Sequence, residues 1–269
     1  MNGIVRNFAV LFAHLSALLI SSSVLAPPAL AQSKDSRELK SCTAISSLMK
    51  SQTLTFALFH SQVPGRLAVT THEMRVTGNH YKLDAVSEAK GLLALMHSGQ
   101  LTQHSEGLVV DRRGLEPVLY VEKRGKKPTR EVEMDAQTKQ VLFKKNGEKA
   151  AYLPGLQDRL SLVYQLAGIW ACGNSETVGN FTRLPVTSTG KIETETFTVE
   201  AVEELELELN GKESVVKALR LSNKPKDKED DVIRVWLAPS MNWTPVQIQV
   251  EEPKGTKMTQ SLLRLGGAE

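Results

Sequence analysis

Residues 204–211 read Glu204-Leu-Glu-Leu-Glu-Leu-Asn-Gly211. Strict alternation has a period of two. In an extended chain it sends Leu205, Leu207 and Leu209 to one face and Glu204, Glu206 and Glu208 to the other. The Asn-Gly pair that follows tolerates the left-handed backbone of a two-residue hairpin turn, so a second strand is expected to fold back beside the first. One apolar and one charged face is the signature of an antiparallel sheet that is wet on one side only.

The same period recurs on both sides of this stretch. Upstream it is carried by Leu54, Phe56 and Leu58, then Leu67 and Val69, then Tyr81, Leu83 and Ala85, then Leu119 and Val121, Val132 and Met134, and Val141 and Phe143. Downstream it is carried by Ile233, Val235 and Leu237, by Val246, Ile248 and Val250, and by a last strand from Met258 to Leu265. Turn residues separate these runs at Gly78-Asn79, Arg113-Gly114, Gly125 and Asn146-Gly147, as a meander requires. The pattern predicts a mainly β fold of about ten or eleven strands, and twisted open sheets of that size curl. The expected architecture is a curved antiparallel meander, a half-barrel, with an apolar concave face.

Two helices are expected on or in that face. In 153–173, Leu156, Leu160, Val163, Tyr164, Ala167, Trp170 and Ala171 recur at helical spacing between Pro154 and Gly173. In Ser36 to Lys50, within an N-terminal segment 32–51, Leu39, Cys42, Ile45 and Leu48 or Met49 share a face. Between two alternating stretches lies an unbroken apolar run, Leu92, Leu93, Ala94, Leu95 and Met96, flanked by Gly91 and Gly99. It is expected to plug or cover the mouth of the curved sheet. Leu92, Leu93, Leu95 and Met96 with Leu160, Val163, Tyr164 and Trp170 are the candidate lining of a ligand cavity.

The chain has 269 residues, 41% of them hydrophobic, enough for one sizeable domain, expected over 32–269. The first 31 residues combine one cation, Arg6, with an apolar stretch from Phe8 to about Ala26, a proline pair and Ala29-Leu30-Ala31. Small residues at the first and third positions of that triplet suit signal peptidase, so cleavage is expected between Ala31 and Gln32, giving a periplasmic protein with no remaining membrane span. An uncleaved anchor of about 19 residues is the alternative, weakened by His14 and the serines at 21–23. Removing Arg6 lowers the net charge from +3 to +2, and no clustered basic face of the kind that binds nucleic acid is visible. Cys42 and Cys172 are the only cysteines; after export they either pair or stay as buried thiols.

Motifs for chemistry are absent. Ser47-Leu-Met-Lys50 matches S-x-x-K without its companion elements. His60, His72, His80, His97 and His104 lack metal-binding spacing and are read as surface groups. Asp158 and Arg159 are read as helix-terminal structure. The stretch Glu122-Lys-Arg-Gly-Lys-Lys-Pro-Thr-Arg130 is a solvated hairpin tip or a patch for anionic headgroups. An aromatic content of 5% argues against a transmembrane barrel with its aromatic girdles.

Several stretches, in order, carry a resemblance: Gly91-Leu-Leu-Ala-Leu, Ser105-Glu-Gly107, Gly114-Leu-Glu-Pro117, Lys123-Arg-Gly-Lys-Lys127, Pro154-Gly-Leu-Gln-Asp-Arg-Leu-Ser161 and Val235-Trp-Leu-Ala-Pro239. Over roughly 52–265 the chain resembles a proteobacterial exported family, domain of unknown function 3108, which brings no reaction and no catalytic residues with it. In strand count and helix insertion it is also similar to the half-barrels of periplasmic lipoprotein carriers. That likeness implies a non-enzymatic protein, without cofactor, that binds an acyl chain, lipid or lipoprotein. The alternative is an envelope structural or protein-interaction module whose core is filled by its own helix.

Overall fold

The computed structural model describes residues 37–38, 45–89, 100–173, 176–225 and 227–267. The expected leader with Ala31 and Gln32, Cys42, His97, and Leu92, Leu93, Leu95 and Met96 lie outside the described residues. Everything below belongs to the unit Gln32–Glu269.

In chain order the first meander comprises β1 (Gln52–His60), β2 (Val63–Thr77), β3 (His80–Ala89), β4 (Leu101–Val110), β5 (Gly114–Arg124), β6 (Arg130–Asp135), β7 (Gln140–Phe143) and β8 (Glu148–Ala151). The second comprises β9 (Gln157–Asp158), β10 (Phe181–Thr187), β11 (Ile192–Leu209), β12 (Lys212–Asn223), β13 (Val232–Ala238), β14 (Thr244–Glu251) and β15 (Lys257–Gly267). Helix α1 is Ile45–Leu48, four residues of the stretch from Ser36 to Lys50 in which a helix is expected; residues 39–44 of that stretch lie outside the described residues. Upstream, Glu38 is extended and bridges to Phe181. Helix α2 is Ser161–Gly173, set between β9 and β10.

All strands join one sheet in the order β8 to β1, then β15 back to β9, so β1 and β15 meet in its middle and close the two meanders onto each other. Pairing is antiparallel except between β9 and β10. The expected count of ten or eleven is corrected to 15 among the described residues. Three of the additional strands lack a clean apolar alternation: β4 turns Ser105 and Gly107 inward, β8 is an exposed edge, and β9 has two residues.

The curl follows from the connectivity. β8 and β9 are opposite edges of the sheet, yet only Tyr152–Leu156 separate them in the chain. Such a link reaches at most about 20 Å. A flat 15-stranded sheet with strands about 4.8 Å apart would be more than three times wider, so the edges must come round towards each other. The inner face is the apolar one: in β3, Tyr81, Leu83 and Ala85 are buried while His80, Lys82 and Glu88 are exposed. The Asn210–Gly211 hairpin forms as the sequence requires, with φ of 53° and 77°. Its distal half packs back onto the sheet, where Asn210 N donates to Leu263 O at 2.7 Å and Glu208 pairs with Arg66 at 3.3 Å.

Candidate functional site

The concave face holds α2, which begins at Ser161 rather than just after Pro154. The reason is the cap. Asp158 Oδ1 accepts hydrogen bonds from Leu160 N (2.8 Å) and Ser161 N (2.9 Å), and Ser161 Oγ accepts from Asp158 N at 3.0 Å. The two side chains satisfy each other's free backbone donors, which sets the first turn. Asp158 Oδ2 accepts from Ser105 Oγ at 2.5 Å. Since that hydroxyl has one proton, Tyr81 OH must donate to it, at 2.9 Å. Burial pushes the Asp158 carboxyl above its usual range; burial and the Asp158 charge push the Tyr81 phenol up. The chain Tyr81–Ser105–Asp158 thus ties the start of α2 to β3 and β4.

Two glutamines fasten the helix to β5. Gln157 Nε2 donates to Leu115 O at 2.8 Å, and Gln165 Oε1 accepts from Leu115 N at 2.9 Å while its Nε2 donates to Arg113 O at 2.6 Å. One glutamine precedes the helix and the other lies within it, and together they replace the strand partner that Leu115 lacks there. Further along α2, the Tyr164 phenol lies 3.2 Å from Nδ1 of His72 on β2, whose ring tilts against Phe56. Burial lowers the His72 pKa to about 4, so the ring is neutral at pH 7.

The structure brings Leu160, Val163, Tyr164 and Trp170 together, and buries them: they are 3, 5, 2 and 0% exposed, within one core that includes Leu156, Leu162, Leu166 and Ile169. The cavity against the helix, lined by Met49, Tyr164, Ala167, Gly168, Trp243 and Pro245, measures about 60 Å³. Among the described residues, a larger depression of about 820 Å³ is open and on the surface, between Thr53, Glu73, Arg75, Asn210, Arg264 and Leu265. Cys172, near the end of α2, is disulfide-bonded. Among the described residues no group of three His, Cys, Asp or Glu side chains could hold a metal ion, and no helix is long and apolar enough to cross a membrane.

Two histidines depart from the surface reading. His72 is in the core, and its parity with Met74 on β2 was the available signal. His104 is half-buried between carboxylates, with Nδ1 at 2.7 Å from Asp84 and Nε2 at 3.3 Å from Glu106. The glutamine clasp had no sequence signal, because Gln157 and Gln165 bond to backbone 42 and 50 residues away.

No curated protein matches the chain. A "beta-barrel-like" protein of domain of unknown function DUF1849 from Brucella abortus shares its fold, at 11% identity and a TM-score of 0.51 over 82% of this chain and 99% of that one. A "putative outer membrane lipoprotein-sorting protein domain" from Vibrio parahaemolyticus is 11% identical over 82% of this chain and 84% of its own, at a TM-score of 0.24. Residues 53–261 match the family described as "Protein of unknown function (DUF3108)", and the chain belongs to that family.

Proposed function

We propose that this member of the DUF3108 family is a non-enzymatic, exported protein of the cell envelope that serves as a structural and protein-interaction module, its concave face occupied by its own helix. The observation that carries this reading is the seat of α2. Nine of its 13 residues are buried, and Asp158, Gln157, Gln165 and Tyr164 tie it and its approach to β2–β5. Ligand sites for drug-sized molecules occupy about 300 to 1,000 Å³. Among the described residues, the cavity against α2 is about 60 Å³, room for a few waters. An acyl chain seated beside α2 would have to displace helix side chains from that core. The leader-like first 31 residues and the disulfide at Cys172 support export, since disulfides persist in oxidising compartments.

Native mass spectrometry of the protein purified from periplasm tests the reading. The expected mass is that of the polypeptide alone, and a fluorescent fatty acid should not bind. Co-purified lipid would overturn it and establish the rival, a carrier of an acyl chain or lipoprotein.

A further inference from the structure

The β5–β6 hairpin tip concentrates charge to a degree the rest of the chain does not. Residues 122–130 hold five cations, Lys123, Arg124, Lys126, Lys127 and Arg130, against one acid, Glu122, a net +4. The whole chain is +3, so everything outside these nine residues sums to −1. The positive excess of the protein is this one tip.

Its arginines are also held. Glu122, Arg130 and Gln103 face each other across β4–β6, on the inner side of the sheet next to Ala85 and His72. The Glu122 side chain is 3% exposed and takes Arg124 in a forked pair, Nε to Oε1 at 2.9 Å and Nη2 to Oε2 at 3.2 Å, with Arg130 Nη1 at 3.8 Å from Oε1. One buried carboxylate therefore holds the Arg124 guanidinium by a fork and pairs more loosely with that of Arg130, and the two remain 50% and 42% exposed. Five donors on each exceed what Glu122 can accept. The turn itself is anchored, with Gly125 N donating to Gln100 O and Lys127 N to Arg124 O, both at 3.0 Å. Lys126 and Lys127 lie at the turn beyond it, both exposed. Among the described residues, the ion pairs of the tip's cations run only to Glu122.

We infer that this tip docks the protein on an anionic lipid surface, Lys126 and Lys127 supplying the attraction and the Glu122-held guanidiniums of Arg124 and Arg130 receiving headgroup phosphates. A hairpin tip with four net charges fits a plane of phosphates better than a single small anion, which would call for an enclosed site. Docking through the tip is independent of whether the core holds a ligand.

Co-sedimentation with vesicles tests it, at low ionic strength where surface charge is least screened. Wild type should bind vesicles of equal parts phosphatidylcholine and phosphatidylglycerol and not phosphatidylcholine alone. The double variant K126A/K127A, at two turn positions outside the core, should bind about 25-fold more weakly, roughly fivefold per cation. Glu122→Gln separates held arginines from diffuse charge: it raises the net charge by one, yet binding should weaken because the guanidiniums lose their tether. No binding by wild type, an unchanged double variant, or tighter binding by Glu122→Gln would each overturn the inference. So would loss of binding when inorganic phosphate replaces chloride at equal ionic strength, which would identify a site for free phosphate instead.

Discussion

Acidification should destabilise this protein through His72. The side chain is 3% exposed on the inner face of β2, ring against Phe56, Nδ1 facing the Tyr164 phenol. A neutral ring can accept that phenolic proton. A protonated ring cannot, and it would place a charge in the core. Burial accordingly lowers the folded-state pKa from 6.5 to about 4, a hydrogen bond with Gln260 opposing in part. Below pH 6.5 the unfolded chain binds a proton that the folded chain refuses until about pH 4. The stabilisation is complete above pH 6.5 and is lost as pH falls towards 4. At about 1.4 kcal/mol per unit, the window is worth about 3 kcal/mol. Asp158 acts in the opposite sense, because its raised folded-state pKa lets the folded chain take a proton first as pH falls. The contribution of His72 is therefore read as a difference. Urea unfolding, followed by tryptophan fluorescence between pH 7 and 4, should show wild type losing about 3 kcal/mol more than His72→Gln over that range. Parallel pH profiles for the two proteins would refute the reasoning.

Other perturbations test the frame around the helix. Asp158→Ala removes the α2 cap and orphans the Ser105 hydroxyl, so it should cost about 2 to 4 kcal/mol in denaturant unfolding, and Asp158→Asn less, since an amide oxygen still accepts from Leu160 N and Ser161 N. Gly107→Ala should cost about 2 to 3 kcal/mol, because a Cβ there overlaps the Glu116 carbonyl oxygen at the bulge facing Pro117 and the backbone must move. Alkylation with and without reductant should find Cys42 and Cys172 modified only after reduction, and loss of that bond should cost about 4 to 5 kcal/mol in the chain-entropy model. N-terminal sequencing of exported protein should begin at Gln32; full-length protein in the inner membrane would count against cleavage.

How much of this is legible depends on whether a strand's inward residues are apolar. β3 and β11 can be read because Tyr81, Leu83 and Ala85, or Leu205, Leu207 and Leu209, alternate with polar neighbours, and Asn210-Gly211 names its own turn. β4 cannot, because its inward Ser105 serves Asp158 and its inward Gly107 makes room for β5. The start of α2 departs from the spacing for a related reason. Leu156 and Leu160 fall at helical spacing, but both are buried from the non-helical approach to the cap, where periodicity carries no information about conformation. Leu160, Val163, Tyr164 and Trp170 share a face by spacing and lie in one core. Spacing alone does not say whether such a cluster faces a cavity or a packed neighbour, since both demand apolar side chains.

The topology supplies what the pattern could not. Because the two meanders are joined by β1–β15 in the middle of the sheet, its free edges, β8 and β9, are held near each other by one connecting segment, and Gln157 and Gln165 at its far end reach Leu115. The same segment runs through β9 into α2. Curl and helix placement are therefore one event: the residues that draw the edges together also seat the helix between them. At Gly168 the helix packs closely on the segment before β1, since a Cβ there would overlap Met49 Cε, which would have to shift, and would lie 3.0 Å from Ile45 Cγ1 on α1. Swinging α2 out to admit a ligand would break the Asp158 cap, the glutamine clasp and this contact together, exposing buried polar groups along with the apolar core. Such an opening resembles partial unfolding more than lid motion. On the reading proposed above, the inner face stays occupied by α2, and the outer face and hairpin tips are the surfaces that would meet a partner.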